Sequence, residues 1–233
     1  MRIALLKCDN VKPDLIDVDG DYEVMFYNSL RYVAHNLQID TYQVIQGEYP
    51  RDHKLYDGMI ISGSSFSVYD EEPWIEKLIE YVQTLHFYKV KLIGICFGHQ
   101  LIAQALGGKV ECSDKGWGLG AMLVKVTQEL DWMYPPMDKF SIPLSHQDQV
   151  VELPGSAQCL GENHFCPYSM YQFDNHILCF QGHPEYSPEY CRALYLSRSD
   201  VIDKEVLSEG IESLDHKLDN KVILNWIVNF LEF

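Results

Sequence analysis

Three short stretches hold residue types that could do chemistry together: "GICFG" at 94–98, "HPE" at 183–185 and "ISGSS" at 61–65. Cys96 sits between Gly94 and Gly98, the cysteine counterpart of the G-x-S-x-G turn that presents a nucleophile between a strand and a helix. The apolar run "KLIGIC" (91–96) reads as that strand and "GHQLIAQALGG" (98–108) as that helix. A helix starting there aims unpaired N–H groups and the positive end of its dipole at the sulfur. Both favour thiolate, the form of cysteine that attacks. Such a nucleophile needs a base within hydrogen-bond reach and a group to orient that base. In "HILCFQGHPEY" (176–186) a strand-like run leads into His183, Pro184 and Glu185, and extended backbone puts residues i and i+2 on one side, so imidazole and carboxylate can lie together. Pro184 fixes the backbone between them and disfavours helix at His183. Acyl transfer also needs donors for the developing oxyanion. The N–H of Phe97, directly after the cysteine, is one candidate, and Ser64 or Gly63 of "ISGSS" is the other. Each stretch alone has a plainer reading: a buried cysteine ending a strand, a solvated turn pair, a Gly/Ser turn. The combination is what favours chemistry.

The surrounding elements place these stretches where a site can form. "RIALLKC" (2–8) is an apolar run suited to a buried strand. An acidic loop follows, then helical spacing of Tyr22, Met25, Phe26, Leu30 and Val33 over about 21–37. "DTYQVIQ" (40–46) alternates like a strand, and "DGMIISGS" (57–64) is a second buried strand. "PWIEKLIEYVQTLHFYK" (73–89) opens a helix with Pro73 in the first turn. Strand and helix alternating at these intervals predict a mostly parallel central sheet with helices on both faces. Ligands then bind beyond the carboxyl ends of the strands, where 61–65 and Cys96 both fall. After 108 the pattern changes to short β-like runs, "KVECS", "GAMLVKVTQ", "VVEL", "YSMYQF" and "HILCFQ", with a hairpin at "DN" (174–175) and helices near 188–208 and 220–232. The fold class expected is α/β with additional short strands in the C-terminal half. No repeat, low-complexity tract or linker marks a boundary, so 1–233 reads as a single domain.

Composition removes several classes of function. With 34 acidic against 18 basic residues the net charge is −16 and no Lys/Arg cluster stands out, which argues against nucleic acid as a partner. No window approaches the ~18 uninterrupted apolar residues of a membrane span. The N-terminus "MRIALLKCDN" reads as a first strand, its apolar segment being too short for a signal peptide. Seven cysteines, at 8, 96, 112, 159, 166, 179 and 191, are scattered without CxxC spacing; a reducing, cytoplasmic setting is expected. No cofactor is expected, since neither a P-loop nor G-x-G-x-x-G occurs. No metal is expected either: "DVDGDYE" (17–23) lacks calcium-loop spacing and reads as an acidic lead-in to a helix, and Cys159, His164 and Cys166 lack structural-zinc spacing. "GWGLG" (116–120) reads as a turn between strands.

In order, "IISGSS", "GICFGHQ" and "QGHPE" resemble the motifs of the class I glutamine amidotransferases, whose catalytic Cys, His and Glu match Cys96, His183 and Glu185. The resemblance implies a flavodoxin-like domain that hydrolyses the γ-carboxamide of glutamine through a γ-glutamyl thioester on the cysteine, releasing ammonia. It also implies that Gln100 in "GHQ" and His146 in "SHQD" bind the glutamyl group. Where synthase-serving members carry G-G-P, this chain has Gly63, Ser64 and Ser65, which is more similar to the freestanding GMP-synthase-like branch that includes γ-glutamyl peptidases. The expected activity is cysteine-dependent hydrolysis of a γ-glutamyl amide or peptide bond, on a small-molecule substrate such as glutamine. Two alternatives stay open. The chain could be the glutaminase subunit of a synthase, whose acceptor would then be on a partner because no synthase domain precedes Phe233, or a catalytically quiet module binding a glutamyl ligand.

Overall fold

A computed structural model describes all of residues 1–233. In chain order the elements are β1 (Arg2–Lys7), α1 (Ile16–Asp19), α2 (Tyr22–Leu30), β2 (Gln38–Gln43), β3 (Gly58–Ile61), α3 (Pro73–Phe87), β4 (Leu92–Ile95) and α4 (Phe97–Ala105). The second half adds β5 (Lys109–Cys112), β6 (Gly118–Val126), β7 (Lys139–His146), β8 (Asp148–Glu152), β9 (Ala157–Glu162), β10 (Met170–Phe173) and β11 (Ile177–Phe180). Three helices close the chain: α5 (Pro188–Leu196), α6 (Lys204–Ser213) and α7 (Asn220–Glu232).

Nine strands form one sheet in the order β2-β1-β3-β4-β11-β10-β9-β6-β7, while β5 and β8 pair separately. From β2 to β11 neighbouring strands are parallel, and from β11 to β7 they are antiparallel. Alternation along the strands sorts side chains between two cores. Ile3, Leu5, Ile60, Ile93 and Ile95 face α2, α5 and α7. Ala4, Leu6, Met59, Ile61 and Leu92 face α3 and α4. The parallel strands β1, β3, β4 and β11 are therefore buried on both faces, which is why they are continuous apolar runs in the sequence. No helix is long and apolar enough to cross a membrane.

Four expectations about elements need correction. The helix expected over 21–37 stops at Leu30. Val33 and Leu37 reach the same core from the turn that follows, and spacing alone does not separate a packed turn from a helix. The strand expected over 40–46 gives way to a 3₁₀ turn at Val44–Gln46, as suits the polar edge strand β2. The helix expected over 188–208 is two helices, each begun by a side-chain cap, Ser187 for α5 and Asp203 for α6. Strands β7 and β9 were not anticipated. Pro143 lies inside β7, and a proline is tolerated there because β7 is the last strand of the sheet.

Candidate active site

The nucleophile turn is shaped by backbone crowding. A Cβ on Gly98 would come within 2.8 Å of the Ile61 Cβ and still closer to the Ile61 carbonyl oxygen. A Cβ on Gly94 would lie 2.7 Å from the Gly98 carbonyl. Only glycine lets β3, β4 and α4 approach this closely. Between those glycines Cys96 adopts φ 51°, ψ −101°, a strained conformation for a residue with a side chain. Its N–H donates to the Phe180 carbonyl at 2.9 Å, tying the turn to β11.

Downstream of β11, the His183 N–H donates to the Pro143 carbonyl at 2.9 Å, so the unanticipated strand β7 fixes the backbone of the candidate base. The imidazole Nδ1–H donates to Glu185 Oε1 at 2.8 Å. One face of the ring stacks on Tyr186, centroids 4.0 Å apart and planes 4° from parallel. Tyr186 in turn meets Tyr22 through their hydroxyls at 3.3 Å. Gly63 packs against both side chains, since a Cβ there would fall 2.8 Å from His183 Cε1 and 3.7 Å from Cys96 Cβ. The i, i+2 expectation for His183 and Glu185 thus corresponds to a direct hydrogen bond, and the three motifs converge on one place.

His183 and Glu185 are 2 % and 5 % exposed, so their charges are felt in low dielectric. Burial by itself pushes the His183 imidazole toward its neutral form. The Glu185 carboxylate, followed by the charge and hydrogen bond of Cys96, outweighs burial and carries the pKa up to about 10. The imidazole is then held as the cation beside the sulfur, with a proton to give. His146 goes the opposite way: burial, reinforced by the charge of His183, lowers it to about 4. Its Nδ1–H donates to the Asp148 carbonyl at 2.9 Å, and its Nε2 is buried without a partner.

Gln100 and His146 converge on that same Asp148 carbonyl, to which Gln100 Nε2–H donates at 2.6 Å. Gln100 also donates to Gln181 Oε1 at 3.2 Å, and Gln181 Nε2–H reaches Cys96 Sγ at 3.6 Å. The N–H groups of Gly63 and Ser64 donate to no protein acceptor, and that of Phe97 is the first of α4, where helices leave donors free. The Ser64 hydroxyl is directed away, to the Cys8 carbonyl at 3.0 Å, so only its amide is available for an oxyanion. A cleft of about 100 Å³ opens at the sulfur, bordered by Ser64–Ser67, Cys96, Gln100, Trp117, Ser145–Asp148 and Arg198.

Several of these residues were not singled out from sequence. Gln181 lies two before His183, so strand alternation places it on the same side and could have flagged it. Tyr186 lies in the same loop as His183, but no motif marks its ring; Trp117, in the stretch read as a turn, and Arg198 arrive at the site by tertiary packing. The acidic stretch 17–23 is engaged elsewhere: Asp21 caps α2, and Asp21 and Glu23 both pair with Lys7, itself 1 % exposed. No cluster of three or more His, Cys, Asp or Glu side chains is arranged to hold a metal.

Comparison with known proteins identifies the family and the fold. The family model described as glutamine amidotransferase class-I matches residues 14–222. Gamma-glutamyl peptidase 2 of Arabidopsis thaliana is 36% identical over 221 residues, covering 91% of this chain and 88% of that protein. Gamma-glutamyl peptidase 4 of the same plant is 38% identical over 183 residues, 74% of this chain and 68% of the relative. Among solved structures, a glutamine amidotransferase of Thermotoga maritima superposes with a TM-score of 0.76 over 99% of this chain and 96% of its own, at 18% identity, and so speaks for the flavodoxin-like α/β fold. A match spanning nearly the whole length, joined to relatives above 30% identity, places the chain in the class-I glutamine amidotransferase family.

Proposed function

We propose that this chain hydrolyses a γ-glutamyl amide or peptide bond through a thioester on Cys96. The Cys96 sulfur attacks the γ-carbonyl carbon, and the oxygen takes up negative charge facing the N–H groups of Phe97 and of Ser64 or Gly63. As the intermediate collapses, His183 gives its proton to the departing nitrogen, which leaves as an amine or ammonia. Water then attacks the thioester while His183 takes a proton from it. A second collapse releases glutamate and returns the sulfur. Glu185 keeps the imidazole in the tautomer and orientation this needs. Gln100 and His146 form the wall against which the glutamyl group rests.

The observation that carries this reading is the His183 ring held between Glu185 and Cys96, with its pKa raised to about 10 by those neighbours. The similarity to proteins named gamma-glutamyl peptidase supports the bond class. We read residues 1–233 as one domain, working in the cytoplasm, a setting consistent with seven unpaired cysteines. The test is turnover of glutamine and of γ-glutamyl peptides by wild type and Cys96→Ser, with hydroxylamine added to trap the thioester as γ-glutamyl hydroxamate. Wild type should yield hydroxamate and Cys96→Ser none. Turnover unchanged by the substitution would end this reading. Glutamine hydrolysis that accelerates sharply on adding a copurifying synthase would instead favour the glutaminase-subunit alternative.

A further inference from the structure

Resting on that proposed reaction, we infer that Arg198 and Trp117 form a subsite for a carboxylate carried by the leaving amine, which makes γ-glutamyl amino acids and short γ-glutamyl peptides the substrate class. Arg198 is the one arginine or lysine bordering the Cys96 cleft. In a chain of net charge −16 it pairs with no carboxylate of the protein. The acid nearest at hand in the cleft, Asp148, is taken up by the hydroxyls of Ser67 and Tyr69. Of the five guanidinium N–H donors, one goes to Ser145 Oγ at 2.8 Å. The guanidinium lies over the Trp117 ring, 5.3 Å from its centroid, an arrangement that holds the planar fork in place. The Arg198 backbone is also held, its N–H donating to the Tyr195 carbonyl and its own carbonyl accepting from Val201 and Ile202. A fixed fork with unused parallel donors is what a carboxylate binds best.

The position of the pair says which carboxylate. Gln100 and His146 are 3 % and 4 % exposed, on the closed side of the cleft. Arg198 and Trp117 are half-buried, at its mouth. The glutamyl group stays attached to the sulfur through both steps and belongs inside. The leaving amine must depart to solvent between the steps and belongs at the mouth. Ammonia has nothing to offer this pair, whereas an amino acid or peptide presents a carboxylate to it.

The experiment compares γ-glutamyl-alanine with its C-terminal amide, which share the scissile bond and the glutamyl end and differ in the one carboxylate. Wild type should prefer the acid by about ten- to hundredfold in kcat/KM, the span expected of one charge-assisted contact. Arg198→Gln should bring that ratio close to one, and Arg198→Lys should restore part of it. Because both probes are measured on one sample, a loss of folded protein cancels in the ratio. An acid-to-amide ratio near one in wild type, or a ratio kept in Arg198→Gln while both rates fall together, overturns the inference; the second result would assign Arg198 to the glutamyl α-carboxylate. Wild type inert on both probes and on glutamine would overturn the proposed function itself, and this subsite with it.

Discussion

The two sides of the candidate site are held by different means. Around Cys96, main chain touches main chain: Gly94 against Gly98, Gly98 against Ile61, and the Cys96 N–H against Phe180. Around His183, side chains do the holding: Glu185 on the ring nitrogen, Tyr186 on the ring face, with one backbone bond to Pro143. The contrast separates two ways of placing an atom. Backbone crowding fixes the sulfur as part of the fold, so its disturbance should be felt as lost stability. Polar and aromatic contacts fix the imidazole on top of the fold, so their disturbance should be felt mainly as lost chemistry.

The largest effect expected is on the side-chain half. Glu185→Gln keeps the shape and removes the charge that most raises His183, so kcat should fall on the order of 10³–10⁴-fold. The alkaline limb of the rate profile should move to lower pH, because His183 without the carboxylate loses its proton sooner. Near pH 10, where the raised His183 no longer adds stability, the urea midpoint of this variant should stay close to wild type, and a large fall there would erase the distinction. Next comes the backbone half, where Gly98→Ala should cost roughly 1–3 kcal/mol in urea unfolding through overpacking against Ile61. Wild-type stability in that variant would break the comparison from the other end.

A third expectation sets His183 apart from the merely buried histidines. Burial lowers His99 to about 3, His146 to about 4 and His176 to about 4. Each stays neutral when folded while its unfolded counterpart takes a proton below about 6.5, so stability is lost as pH falls from there toward 4. Between pH 7 and 5 this amounts to about 2 kcal/mol for each imidazole. The raised His183 has the opposite sign: its contribution is complete below about 6.5 and disappears as pH rises through about 10. Urea midpoints should therefore drop between pH 7 and 5, and His183→Gln should steepen that drop while His146→Gln flattens it. The smallest effect belongs to Tyr186→Phe, which keeps the stacked ring and removes only a hydroxyl bonded to Tyr22 at 3.3 Å. Its kcat should stay within about threefold of wild type, at a cost near 1 kcal/mol. Tyr186→Leu, which removes the ring face, should lower kcat further than Tyr186→Phe does.

The same contrast explains what could be read in the sequence. Buried parallel strands such as Gly58–Ile61 and Leu92–Ile95 are unbroken apolar runs, and a cysteine between close-packed glycines announces a crowded turn. The His183–Glu185 pair follows from strand periodicity. Strand β7 does not read as a strand, because Pro143 argues against one and its edge position, which excuses the proline, is a property of the whole sheet. The stacking of Tyr186 on His183 is local but has no periodic signature, whereas the contact of Gln181 with the sulfur and the pairing of Arg198 with Trp117 join residues far apart in the chain, and the partner in each case is set by the whole fold.

The strand order has a consequence for how the chain comes to be made. β4 lies in the interior of the sheet between β3 and β11, and β11 is synthesised about eighty residues after it. Until Ile177–Phe180 has emerged, Leu92–Ile95 is an open, wholly apolar edge able to pair with another nascent chain. The strand that closes this edge leads directly to the residue proposed as the base. A growing polypeptide therefore passes this association-prone stage and gains the proposed base in the same few residues, so the proposed nucleophile and base do not meet before the sheet is sealed.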